Sequence, residues 1–157
     1  LLERMQVIHI SGELDWPVVQ QHAENLSGNL AERYHPYPYL HGEMGAALSA
    51  ADLVICRAGA SILGELPLFG LPAILVPYPH AWRYQKVNAD YLANRGAALV
   101  IEDAKLKSGL HLTVEKLLET PEKLESMAKA MRGLQQPNAA ENIASILYGL
   151  AGAHKHG

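Results

Sequence analysis

Short apolar runs alternate along this chain with longer stretches in which apolar and polar residues mix at helical spacing. The apolar runs predict strands over residues 6–12, 53–56, 73–77 and 98–101. Residues 34–40 are expected to be extended, but Pro36 and Pro38 disfavour a central place in a sheet. The mixed stretches predict helices over 16–31, 43–50, 61–69, 84–95, 113–119, 121–133 and 138–150.

Several helix boundaries carry recognisable signals. Asp15 is expected to cap the first helix, which has Pro17 in its first turn, and Thr120 precedes Pro121 in the same way. Pro67 is expected to kink or shorten the helix over 61–69, and Gly70 to end it.

Alternating strands and helices predict an α/β fold with a doubly wound, Rossmann-like parallel sheet. The 157 residues are enough for one domain, which we expect over residues 1–151 with a flexible tail over 152–157. Ligands of such sheets bind beyond the carboxyl ends of the strands. Three loops are expected to meet there, over residues 39–43, 57–61 and 78–85.

The turn after the predicted strand 53–56 has the composition of an anion site. Ala58, Gly59 and Ala60 remove side-chain bulk, and a helix beginning at Ser61 would present free backbone N–H groups to a phosphate. Glu65 lies one helical turn further on, where a carboxylate could accept hydrogen bonds from a ribose. The alternative is an ordinary strand-to-helix turn with a surface glutamate.

The loop that follows residues 73–77 is rich in polar groups. His80, Gln85 and Asn88 lie within nine positions, and the two amides are three residues apart at a predicted helix start. Amide side chains can donate to and accept from sugar hydroxyls. The alternative is that Gln85 and Asn88 cap or decorate a surface helix.

Composition narrows the functional classes. A net charge of −3 gives no basis for nonspecific nucleic-acid binding, and no apolar run is long enough for a membrane span. Cys56, the single cysteine, is expected to be an inert buried thiol in a reducing compartment. The eight histidines lack metal-ligand spacing, and Ser61 lacks the Gly-x-Ser-x-Gly elbow of a nucleophile.

The motifs together resemble one known family. The run over 51–61 with Glu65, the run over 70–77, and the group His80, Gln85 and Asn88 closely resemble the C-terminal domain of MurG-type glycosyltransferases, family 28, with a GT-B fold. Members transfer N-acetylglucosamine (GlcNAc) from UDP-GlcNAc to a lipid-linked muramyl pentapeptide, with inversion, in peptidoglycan synthesis. Ile62 and Tyr84 depart from the pattern that is common in the family.

The resemblance implies a role for each matching residue. The turn of Gly59, Ala60 and Ser61 would bind the diphosphate, and Glu65 the ribose. Further donor contacts would come from Leu40 and His41 at the uracil, His80 at the diphosphate, and Gln85 with Asn88 at the sugar. No metal or other cofactor is implied.

The rest of such an enzyme is expected outside this chain. An N-terminal domain would supply the catalytic residues and the acceptor site, so the chain alone is expected to be inactive. The full-length protein would act at the cytoplasmic face of the bacterial inner membrane as a peripheral protein, and no nucleic acid is an expected partner. Alternatives are a related lipid glycosyltransferase that uses another UDP-sugar, a non-catalytic sugar-nucleotide-binding subunit and a GT-B-like epimerase.

Overall fold

The computed structural model describes residues 1–80 and 82–153. Within these residues the strands are β1 Val7–Ile10, β2 Tyr34–Tyr37, β3 Val54–Cys56, β4 Ala73–Leu75 and β5 Ala98–Val100. The α-helices are α1 Trp16–Glu24, α2 Met44–Ala50, α3 Ile62–Phe69, α4 Trp82–Ala93, α5 Leu106–Leu118, α6 Pro121–Arg132 and α7 Ala139–Ala153. Short 3-10 helices cover Gly28–Arg33 and Asp103–Lys105.

All strand pairs are parallel, which confirms the predicted α/β class. In the described residues the strands form two sheets, β1-β2 and β3-β4-β5, where one sheet was expected. In the larger sheet Val54 pairs with Ala73, and Ala73 with Ala98. β2, with its Pro36, pairs with β1 alone, as expected for a strand that lacks one N–H donor.

Helices cover both faces of the three-stranded sheet. Ala73 and Leu75 of the central strand β4 belong to one buried cluster, which includes Leu66 of α3 and Leu92 of α4. The intervening Ile74 belongs to a second cluster, formed with α5 and α6. Because side chains alternate across a strand, these clusters lie on opposite faces, as a doubly wound sheet requires.

Helix α5 is longer than predicted. It begins at Leu106 instead of residue 113, because Leu106, Leu110, Val114 and Leu117 recur at helical spacing and pack on the second cluster. That burial outweighs the low helix propensity of Ser108 and Gly109.

The first helix is shorter than predicted. It ends at Glu24 instead of residue 31, and Gly28, with a φ of 59°, starts a separate 3-10 helix. Asp15 and Thr120 occupy N-cap positions but make no side-chain cap hydrogen bond. The Thr120 hydroxyl donates instead to the Lys116 carbonyl, at 3.0 Å.

Other boundaries differ by a few residues. Pro67 lies inside α3, and Gly70 follows the helix in the left-handed conformation, as expected. Helix α7 continues to Ala153, into the segment predicted as a tail, and residues 154–157 lie outside the described residues. Over the described ranges, no helix is both long enough and apolar enough to cross a bilayer.

Candidate functional site

The candidate site lies at the carboxyl edge of the three-stranded sheet. Since β3, β4 and β5 are parallel, the segments that follow them leave the sheet at the same edge. These segments are residues 57–61 after β3, 76–80 after β4 and 101–103 after β5. Residue 81, within the third predicted loop region, over 78–85, lies outside the described residues.

The turn after β3 leaves backbone donors free. Hydrogen bonding of α3 starts with Leu63 N–H donating to the Ala60 carbonyl, and Glu65 N–H to the Ser61 carbonyl. In the described part of the chain, the backbone N–H groups of residues 59–62 donate a hydrogen bond to no acceptor. A Cβ placed on Gly59 would meet nothing within 4 Å, so the space above the turn is open. The turn can therefore offer several N–H groups to one anion.

Glu65 lies in the first turn of α3 with an exposed side chain. Its negative charge affects the pKa of Cys56, at the end of β3. Burial, and secondarily the Glu65 carboxylate, raises the pKa of the Cys56 thiol to about 11. Cys56 therefore remains a thiol at neutral pH.

Arg57, which follows β3, contacts residues that follow β4 and β5. These contacts were not predicted from the sequence. Arg57 Nη1 donates to the Val76 carbonyl at 3.2 Å and pairs with the Asp103 carboxylate. The guanidinium carbon also lies 5.3 Å from the centroid of the Tyr78 ring. Arg57, Tyr78 and Asp103 all follow strands closely, which was the one available signal for them.

The two amides of α4 are hydrogen-bonded to the loops. Gln85 Oε1 accepts from Tyr78 N–H at 2.8 Å, and Asn88 Nδ2 donates to the Ala58 carbonyl at 3.0 Å. These contacts correspond to the structural alternative for both residues. They occupy one end of each amide, Gln85 Oε1 and Asn88 Nδ2, and contact of the other ends with a sugar stays a prediction.

The structure brings most of the predicted site residues to this edge. His80 is exposed, and its ring lies edge-on to Tyr78 at 5.5 Å. Leu40 and His41 follow β2 of the smaller sheet, where Leu40 is buried and the His41 ring lies 4.8 Å from Tyr39. Their proximity to the turn over 57–61 stays a prediction.

No set of three His, Cys, Asp or Glu side chains within residues 1–80 and 82–153 is grouped closely enough to hold a metal ion. Ser61, at the N-cap position of α3, makes no side-chain cap hydrogen bond. For binding, this edge offers backbone N–H groups, the amides of Gln85 and Asn88, and the Glu65 carboxylate.

Comparison with known proteins gives a consistent result. Residues 1–143 match the family model "Glycosyltransferase family 28 C-terminal domain". The chain is 44% identical, over 94% of its length, to a Roseiflexus protein named UDP-N-acetylglucosamine--N-acetylmuramyl-(pentapeptide) pyrophosphoryl-undecaprenol N-acetylglucosamine transferase. It is 49% identical, over 73% of its length, to a protein of the same name from Desulforudis audaxviator.

Solved structures agree with the sequence relatives. The MurG structure from Acinetobacter baumannii superposes with a TM-score of 0.79 and 29% identity, over 92% of this chain and 41% of that one. The glycosyltransferase VinC in complex with dTDP superposes with a TM-score of 0.56 and 26% identity, over 74% of this chain and 27% of VinC.

The chain spans 38% of the Roseiflexus protein and 31% of the Desulforudis protein, so it corresponds to part of each. The matched part is the region that carries the strand-end turn, Glu65 and the amides of α4. The expected resemblance is confirmed: this chain belongs to the glycosyltransferase family 28 C-terminal domain family.

Proposed function

We propose that this chain is the donor-binding domain of an enzyme that transfers GlcNAc from UDP-GlcNAc to a lipid-linked muramyl pentapeptide. The observation that carries the proposal is the open turn over residues 59–62, with unpaired N–H groups and Glu65 one helical turn away. Backbone N–H groups suit a diphosphate, and a carboxylate suits a ribose diol.

The other site residues take their roles from this arrangement. Gln85 and Asn88, held at one end of each amide, would present the other end to GlcNAc, with His80 near the diphosphate. Leu40 and His41 would contact the uracil. The chain spans about two fifths of the Roseiflexus protein and of the Acinetobacter baumannii MurG structure, so the general base and acceptor site would lie in the remainder of the protein.

The cellular setting follows from the same proposal. The full-length protein would act at the cytoplasmic face of the bacterial inner membrane, where a lipid-linked acceptor is presented. Membrane contact would come through that full-length protein. This chain by itself would bind donor without transferring sugar.

Calorimetric titration with UDP, UDP-GlcNAc, UDP-glucose and dTDP tests the donor assignment. We expect binding of UDP and UDP-GlcNAc, with dTDP weaker. A chain that binds none of these nucleotides, or that prefers dTDP, would contradict the proposal.

The turn itself is tested by Gly59→Leu, because the space at its Cβ is open and its φ is not positive. The added side chain would fill the volume meant for the diphosphate, so UDP affinity should fall at least about tenfold while the fold persists. Gly109→Leu is the matched control, since its Cβ position is equally open but lies in α5. Equal UDP affinity in parent and Gly59→Leu would remove the turn from the site.

A further inference from the structure

A continuous series of contacts joins the end of β5 to the start of α4. It runs from Asp103 to Arg57, from Arg57 to Tyr78, and from Tyr78 to Gln85. We propose that Asp103 and Arg57 are positioning residues for the sugar half of the donor, acting through the loop after β4. The inference rests on the proposed function, because it assigns an effect to the donor site.

The first step fixes the guanidinium. Arg57 follows β3, at one side of the β3-β4-β5 sheet, yet its partners follow β4 and β5. Nη1 donates to the Val76 carbonyl at 3.2 Å and pairs with Asp103, so the side chain spans the sheet. Without the carboxylate, the Val76 carbonyl would be the one remaining acceptor for Arg57 among the described residues, and the side chain would gain freedom to leave the edge.

The second step fixes the loop. The guanidinium carbon lies 5.3 Å from the Tyr78 ring centroid, within the range of a cation–π contact. Tyr78 in turn meets the His80 ring edge-on at 5.5 Å. The Tyr78 ring thus contacts both the Arg57 cation and the His80 ring, and the cation helps to hold the Tyr78 ring in place.

The third step orients Gln85. Tyr78 N–H can only donate, so the group that faces it at 2.8 Å must be the amide oxygen, Oε1. The amide nitrogen then remains as a donor that the Tyr78 contact does not use. A ligand beneath this loop would therefore meet N–H groups of Gln85, which select for an acceptor oxygen on the sugar.

The turn that would hold the diphosphate is outside this series. Residues 59–62 and Glu65 make no contact with Asp103 or Tyr78 among the hydrogen bonds and ring contacts of the described residues. Loss of Asp103 should therefore weaken the sugar contacts more than the contacts that residues 59–62 and Glu65 make with the nucleotide. This split separates a positioning role from a general loss of stability.

Asp103→Asn is the test, with UDP and UDP-GlcNAc affinities measured on the same preparation. We expect UDP-GlcNAc to bind about three- to fivefold more weakly, since the ion pair is partly exposed, and UDP affinity to change less than twofold. Glu102→Gln is the matched control, because it removes the neighbouring carboxylate, which pairs with Lys105 instead. Adding Asp103→Asn to Arg57→Gln should cause no further loss.

A second measurement needs no ligand. Hydrogen exchange of the Tyr78 amide, which donates to Gln85 Oε1, should quicken in Asp103→Asn and stay at the parent rate in Glu102→Gln. Unchanged Tyr78 exchange in Asp103→Asn, or an equal loss of UDP and UDP-GlcNAc affinity, would overturn the inference alone. A parent chain that binds neither ligand would overturn the proposed function and this inference together.

Discussion

Replacement of Glu65 tests the ribose assignment most directly. A hydrogen bond to a charged group contributes about 1.5–3 kcal/mol, so Glu65→Ala should weaken UDP binding about ten- to hundredfold. Glu65→Gln keeps the shape and one acceptor but loses the charge, and hydrogen bonds to charged groups are roughly twice as strong as neutral ones. We therefore expect a smaller loss for Glu65→Gln, about three- to tenfold.

The same substitution has a second effect inside the protein. The Glu65 carboxylate is the lesser of two causes that raise the pKa of Cys56, and burial is the greater. Removing the negative charge favours the thiolate, so Glu65→Gln should lower the pKa of Cys56 while burial keeps it above 9.0. Alkylation by iodoacetamide near pH 9 should become modestly faster, as expected if the Glu65 charge acts on Cys56.

The assay is calorimetric titration of parent and variants with UDP and with 2′,3′-dideoxy-UDP, which lacks both ribose hydroxyls. Glu122→Gln is the matched control, because Glu122 also lies in the first turn of a helix, α6. Helix-start electrostatics contribute about 0.3–1 kcal/mol to stability in either case. Glu65→Ala with parent affinity for UDP, or with the same loss for both ligands, would refute the ribose role.

Three further results are expected. Because Cys56 has a pKa of about 11 in the folded chain against 9.0 in the unfolded chain, the folded state holds a proton that the unfolded state releases above pH 9. The contribution of Cys56 to the free energy of unfolding should fall by up to about 2.7 kcal/mol between pH 9 and 11. Urea titrations at pH 8 and 10.5 should therefore show a smaller fall in the free energy of unfolding for Cys56→Ala than for the parent. Gly70→Ala should destabilise by about 1–2 kcal/mol, because Gly70 has a φ of 62° and its Cβ would lie 2.5 Å from Arg132 Cγ, whereas Gly109→Ala in α5 should stabilise by about 0.5–1 kcal/mol; equal urea midpoints would contradict this. UDP affinity should be the same with EDTA as with added magnesium, since backbone N–H groups would bind the diphosphate directly; binding that requires magnesium would contradict that role.

Local signals were sufficient for most of the fold. The central strand β4 is buried on both faces and reads as a continuous apolar run, so it is visible in the sequence. Pro121 marks the start of α6 in the same local way. The start of α5 differs from the prediction, because the burial of Val114 depends on the sheet beneath it and not on the local sequence.

In the candidate site, too, local sequence predicts some features, whereas others depend on the topology. Free N–H groups at the start of α3 follow from a turn of small residues, so a sequence of five residues is enough to predict them. Arg57 and Asp103 are 46 positions apart in the sequence, and no local pattern near either residue indicates its partner. The pair becomes foreseeable only when the order β3-β4-β5 is known, because Arg57 must then cross two strand spacings, about 10 Å, to reach a group after β5. Sequence patterns can thus predict where an anion would be held, while the side chains that orient the neighbouring loop emerge from the topology.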